Sequence, residues 1–193
     1  MLPKRITNFL EKHNVNYEIL EHKTVYTAFD VAQTLGKKLN EIAKTLAVKA
    51  DQKYFLLVIP ADQKVNFEKL EKLLKVKKAK IVKEIDIKKI FKVKPGTLIP
   101  FAAFHKIPVY LDKTLLKNKI IIVSGGSHTE SLKLKINDLL GQGAEAITTF
   151  SKKHKFKKIK KNKPKAKKKT TAKKAGVKNK ISVNKKFAKK RKK

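Results

Sequence analysis

The feature that most limits what this chain can fold into is the placement of its charge. Residues 152–193 carry 23 of the 50 lysines and arginines and none of the 15 aspartates and glutamates. Their only sizeable apolar residues are Phe156, Ile159, Val177, Ile181, Val183 and Phe187. So little apolar surface cannot offset the entropy of ordering a self-repelling segment. The sequence therefore predicts a disordered lysine-rich tail over 152–193. One globular domain is expected over 1–151, a length that suits a single core at about 100–200 residues per domain. A formal charge of +35 draws polyanions by long-range attraction and counterion release, so nucleic acid is the first partner class to consider.

Composition then removes several chemistries. With no cysteine there is no disulfide, thiolate nucleophile or cysteine-held metal. His13, His22, His105 and His154 lack metal-ligand spacing, and the acids form no obvious catalytic pair, so no metal and no cofactor are expected. No apolar run approaches the roughly 18–20 residues of a membrane span, and no signal-like apolar core follows the opening residues. The expectation is a cytoplasmic protein without membrane attachment.

Within 1–151 the periodicity alternates between helix and strand. Pro3 followed by Ile6, Phe9, Leu10 and His13 at helical spacing predicts a first helix ending at Asn14. Tyr17–Leu20 reads as a strand, and Thr27 with Asp30 opens a helix that Gly36 stops. A helical turn is expected over 40–43. Lys44–Lys49 and Tyr54–Ile59 form a strand pair around a turn at 50–53. Asn66 caps a helix bearing Phe67, Leu70, Leu73 and Leu74. A short extended stretch at 79–82 and a helix over 85–91 follow. Beyond Pro95-Gly96 come strands at 108–111, 119–123 and 131–136, then a turn of helix capped by Asn137. This mixture predicts an α/β (α+β) fold with a mixed, largely antiparallel sheet and surrounding helices.

Three places in the chain invite chemistry. Gly96-Thr97-Leu98-Ile99-Pro100 pairs a glycine able to take positive φ with a proline that fixes the exit, which suits presenting backbone groups to a ligand or simply joining two elements. Ser124-Gly125-Gly126-Ser127-His128 follows an apolar strand and lets the main chain approach a substrate, but it lacks the spacing of a P-loop or nucleophile elbow. His128 could act as an acid or base, orient a ligand, or bond to its own loop. Lys44 stands at the mouth of a strand, where it either meets phosphate or is merely solvated.

Taken together, residues from about 17 to 150 resemble the YbaK/aminoacyl-tRNA synthetase-associated domain, the fold of freestanding trans-editing proteins and of the editing insertion in many bacterial prolyl-tRNA synthetases. The resemblance is carried by Tyr-Glu-Ile-Leu-Glu-His at 17–22, Val-Tyr-Thr-Ala-Phe-Asp-Val-Ala at 25–32, Ile-Ala-Lys-Thr-Leu at 42–46, Leu-Val-Ile-Pro-Ala-Asp at 57–62, Gly-Thr-Leu-Ile-Pro at 96–100 and Ile-Val-Ser-Gly-Gly at 122–126. It implies hydrolysis of mischarged aminoacyl-tRNA, Cys- or Ala-tRNA(Pro), with assistance from the vicinal ribose hydroxyl and no cofactor. It places Lys44 near the terminal adenosine and its phosphate, Gly96 and Pro100 around the loop that meets the aminoacyl group, and His128 at a polar pocket position. Substrate contacts are implied for Tyr26, Thr27, Thr45, Thr97, Gly125 and Gly126. Thr45 follows the lysine as in the Cys-specific and several uncharacterised branches that it resembles, whereas the Ala-specific branch often has asparagine there. The segment Phe101-Ala102-Ala103-Phe104 departs from the family, many of whose members carry a glycine soon after the proline.

The tail is not a family feature. An editing domain acting in trans has no anticodon-binding domain, and residues 152–193 could supply nonspecific affinity for tRNA, ribosome or other nucleic acid. Association with a synthetase is a further implied partner. The competing expectation is a noncatalytic nucleic-acid- or ribosome-binding protein built on the same fold.

Overall fold

Two strands joined by a tight turn lie inside the larger sheet. In the computed structural model, β2 (Ala43–Ala50) and β3 (Lys53–Pro60) pair antiparallel from Ala43 opposite Pro60 to Ala50 opposite Lys53. The turn is shorter than expected because Asp51 takes a left-handed φ of 51° and its carboxylate accepts the N–H groups of Lys77 and Lys78, each at 3.1 Å. Residues 1–154 are described; the chain divides into the units Met1–Phe156 and Lys157–Lys193, and the expectation of disorder over 155–193 lies outside the described residues.

Phe55–Pro60 is buried throughout, as a continuous apolar run covered on both faces should be. Three strands complete its sheet: β5 (Ala79–Ile81) antiparallel to β2, β6 (Val109–Asp112) parallel to β3, and β9 (Ala144–Ile147) parallel to β6. A second, antiparallel sheet has β8 (Glu130–Lys135) between β1 (Tyr17–Glu21) and β7 (Ile120–Ser124). The fold is thus the mixed, largely antiparallel α/β arrangement that the sequence predicts. The sheets meet at a parallel bridge between Ile42 and Ile122, where the Ile122 N–H donates to the Glu41 carbonyl at 2.9 Å. That junction opens the cavity described below.

Helix positions follow their signals closely. Helix α1 (Lys4–Lys12) buries Ile6 and Leu10. Helix α2 (Ala28–Thr34) is capped by Thr27, whose hydroxyl accepts the Asp30 N–H at 3.1 Å. Asn66 likewise caps α3 (Phe67–Leu74), and α4 (Glu84–Phe91) follows. Two expectations need correction. Residues 40–43 form no helix, because Ile42 and Ala43 are drawn into the sheet junction. Asn137 is not a cap: Lys135 holds the N-cap position of α6 (Ile136–Gly141) and Asn137 lies inside it.

Several elements had no sequence signal. Helix α5 (Ala102–His105), a 3-10 turn at Lys113–Lys117, and the ribbon of β4 (Gln63–Val65) with β10 (Ser151–Lys153) are each five residues or fewer. Buried Asp112 explains the ribbon. One of its oxygens accepts the Phe150 and Ser151 N–H groups at 3.0 and 2.9 Å, the other the Thr114 N–H and hydroxyl at 2.9 and 2.7 Å. So anchored, the chain runs on through Lys152 and Lys153, which pair with Lys64 and Gln63, past the expected boundary at 151.

The departure after Pro100 also has a structural account. Phe101 is fully buried, and its ring and that of Phe104 lie 5.5 and 5.3 Å from Phe9 on α1. These phenylalanines pin α1 to the body; neither lines the cavity.

Candidate functional site

At the junction of the sheets lies a cavity of about 280 Å³. Its apolar floor comes from Val31, Ile42, Leu46, Leu98, Ile122 and Val123, and polar side chains from three segments ring it: Lys44 and Thr45 on β2, His22, Tyr26 and Thr27 before α2, and Ser124, Ser127, His128, Glu130 and Ser131 around the β7–β8 loop. Small cavities of this kind, apolar with a few convergent polar groups, are the usual form of a small-group binding site.

Among the described residues Lys44 is the only lysine or arginine lining the cavity. Its ammonium donates to the Ala61 carbonyl at 3.3 Å, leaving two further N–H donors. Burial lowers its pKa from the ordinary lysine value of 10.5, and the neighbouring Asp62 carboxylate opposes that shift. A partly desolvated cation with unused donors is prepared to meet an anion. Beside it, the Thr45 hydroxyl and Asp62 Oδ1 are buried without a hydrogen-bond partner. Buried polar atoms are nearly always paired, so the unpartnered Thr45 hydroxyl stands out in the cavity wall.

The opposite rim is built by close approach. Gly96 has φ +83°, and a Cβ there would stand 3.1 Å from the Tyr26 carbonyl and 3.4 Å from His128 Cε1. Only glycine lets these three segments meet without displacement. The rings of Tyr26 and His128 lie 4.9 Å apart, and the Val25 N–H donates to the His128 carbonyl at 3.0 Å. Tyr26 remains 70% exposed and stands at the cavity mouth.

Of the residues singled out in the sequence, Lys44, Gly96, His128, Tyr26, Thr27 and Thr45 come together on this cavity, and four do not line it. Pro100 is buried and does not line the cavity. Thr97 is buried with its N–H and hydroxyl both bonded to the Lys94 carbonyl, at 3.1 and 2.8 Å, closing the turn that holds Pro95 and Gly96. Gly125 and Gly126 serve packing: a Cβ on Gly125 would lie 2.7 Å from Leu2 and 2.9 Å from the Glu130 carbonyl, and one on Gly126 would collide with Ile6. The double glycine seats the N-terminal helix.

Tertiary structure adds His22, Glu130 and Ser131. His22 Nδ1 donates to the Lys23 carbonyl and Nε2 bonds the Ser131 hydroxyl, both at 3.0 Å. Glu130, only 3% exposed, accepts from the Ser127 hydroxyl at 3.0 Å and pairs with the Met1 amino group at 2.6 Å. The signal for these residues is the β1–β8 register, which sets Leu20 opposite Ser131; nothing local in the sequence reports it. Among the described residues no three histidines, aspartates or glutamates gather as metal ligands, and no helix is long and apolar enough to cross a membrane.

The architecture is shared with solved structures. The hypothetical protein APE2540 superposes with a TM-score of 0.69 at 20% identity, covering 77% of this chain and 100% of that one. A protein described as a candidate trans-editing enzyme for prolyl tRNA synthetase gives a TM-score of 0.67 at 20% identity, over 75% of this chain and 94% of that one. No curated protein matches the sequence. The profile of the aminoacyl-tRNA editing domain matches residues 22–141, the stretch that contains Lys44, Gly96, His128 and every other residue named on the cavity wall. Because that match spans more than half of its length, the chain belongs to the aminoacyl-tRNA editing domain family.

Proposed function

We propose that this chain is an aminoacyl-tRNA deacylase that acts in trans, on Cys- or Ala-tRNA(Pro), and that residues 152–193 increase its hold on RNA by nonspecific attraction. The observation that carries the reading is Lys44, a half-buried cation with unused donors on an apolar cavity within the matched family region. The neighbour described as a candidate trans-editing enzyme for prolyl tRNA synthetase supports the choice of tRNA(Pro).

In this reading Lys44 meets the phosphate of the terminal adenosine and the aminoacyl group enters over the apolar floor. Water attacks the ester carbonyl, the bond to the ribose oxygen breaks, one proton of the water passes to that oxygen and the other to solvent, and the amino acid leaves as a carboxylate. Positioning and donors for the developing oxyanion suffice for such a step without a side-chain nucleophile. The exposed backbone at Gly96 supplies polar groups at the mouth. The Thr45 hydroxyl, unpartnered in the cavity wall, is positioned to sense the side chain of the amino acid.

The test is deacylation of purified Cys-tRNA(Pro), Ala-tRNA(Pro) and Ser-charged tRNAs by wild type beside Lys44→Ala. Selective hydrolysis that depends on Lys44 is expected. RNA binding without hydrolysis of any of these species would overturn the reading and leave a noncatalytic nucleic-acid-binding protein.

A further inference from the structure

A second cavity, of about 340 Å³, lies against the first and shares Val25 and Tyr26 with it. Its remaining walls are Lys23, Thr24, Asp30, Gln33 and Thr34. Asp30, Gln33 and Thr34 follow the i, i+3, i+4 spacing of one helix face, and that face of α2 is turned away from the one carrying buried Ala32. Unlike its neighbour, this cavity has polar walls, and Tyr26 is the partition between the two.

We infer that this cavity is a nucleotide subsite that takes the cytidine preceding the terminal adenosine of tRNA. The inference rests on the deacylase reading for the occupant of the first cavity. With the adenosine there, a preceding nucleotide that passes the shared wall at Tyr26 enters this cavity. The Tyr26 ring meets His128 on the first cavity's side and leaves most of its surface exposed, a platform on which a base can stack. Asp30 is held in place: its Oδ2 accepts the Thr27 hydroxyl at 2.7 Å, and its N–H donates back to that hydroxyl at 3.1 Å. A carboxylate has several acceptor sites, and those left over suit the exocyclic amino group of cytosine, the pairing that geometry favours for an acidic side chain. The Gln33 amide can answer the N3 and O2 acceptors of the same base. Lys23, exposed on the rim, suits the phosphate. Uracil, which presents a carbonyl where cytosine presents the amino group, would set acceptor against acceptor at Asp30.

The experiment uses the full-length protein and uncharged acceptor-stem minihelices ending in CCA or CUA, compared by competition at one fixed salt concentration. Both RNAs carry the same phosphates, so the basic tail attracts them equally and the ratio isolates the base. The CUA end should bind about tenfold more weakly, the discrimination of one well-placed polar pair. In Asp30→Asn, which can donate to the uracil carbonyl, the preference should shrink to about twofold or reverse, with thermal unfolding confirming that α2 is intact. Equal binding of the two RNAs by wild type overturns the subsite. Deacylation of the charged CCA minihelix, measured in the same samples, reports on the other reading. A cytidine preference without hydrolysis keeps the subsite and removes the deacylase, and hydrolysis without the preference does the reverse.

Discussion

Replacing Lys44 by methionine keeps the length and apolar stem of the side chain and removes only the ammonium. Two unit charges about 4 Å apart attract by roughly 4 kcal/mol at an effective dielectric constant of about 20. Solvent at the open mouth reduces that, so a loss of about 2.7–4 kcal/mol, or 10²- to 10³-fold in kcat/KM, bounds the effect. A cation that binds phosphate equally in the ground and transition states acts on KM, and kcat should change by less than about tenfold. Stability should hardly move. The variant loses one long hydrogen bond, to the Ala61 carbonyl at 3.3 Å, and leaves Asp62 without its cation, but it no longer desolvates an ammonium. These opposed contributions are each about 1 kcal/mol, and their difference shifts Tm by no more than about 2–4 °C. Deacylation at limiting and saturating charged tRNA, together with thermal unfolding, measures both quantities. A kcat/KM within threefold of wild type at unchanged stability would refute the assignment of Lys44.

The same residue should give activity and stability opposite responses to pH. Burial lowers the Lys44 pKa below 10.5, so the ammonium and its hold on phosphate are lost as pH rises through a value below that of an ordinary lysine. Between the lowered folded value and 10.5 the unfolded chain binds more protons, so the Lys44 contribution to stability grows more favourable as pH rises. The difference between wild type and Lys44→Met, measured across this window, isolates both trends. Thr45→Val removes a buried hydroxyl that has no partner; it should raise stability by about 1 kcal/mol and change the ratio of Cys- to Ala-tRNA(Pro) hydrolysis, and an unchanged ratio would take Thr45 out of amino-acid selection. Gly126→Ala combines a φ of +85° with a collision against Ile6 and should destabilise by about 2–4 kcal/mol, leaving kcat of the folded protein unchanged when assayed well below its Tm. Truncation should follow His154, since β10 needs Lys152 and Lys153. It should raise KM for tRNA with little effect on kcat and flatten the salt dependence, each lost phosphate contact removing about 0.7–0.9 from the log–log slope; a collapse of kcat at saturating substrate would contradict that division of labour.

Local chemistry was legible wherever one segment settles its own conformation. Thr27 and Asn66 cap helices because their side chains reach an N–H three residues on, and β2 and β3 pair because two apolar runs flank a turn. Asn137 failed as a cap because β8 runs through Lys135 and α6 begins directly after it. Strands β4, β9 and β10 are too short to show a period, and buried Asp112, up to 39 residues away along the chain, holds the last of them in place. In the site, Lys44, Gly96 and His128 carried motifs that sequence could identify. Gly125 and Gly126 carried an equally good motif, yet they serve the seat of α1.

What the amino-acid sequence determined alone was therefore the alternation of helix and strand, the concentration of positive charge in residues 152–193, and the short list of residues able to do chemistry. Each depends on neighbours within a few positions or on composition. Only the tertiary structure decided which of those residues meet. The bridge between Ile42 and Ile122 joins two sheets and opens the cavity, and the β1–β8 register brings His22 to Ser131. Such contacts depend on where distant strands settle when their apolar faces are buried together, and a one-residue slip in register would turn every side chain to the other face.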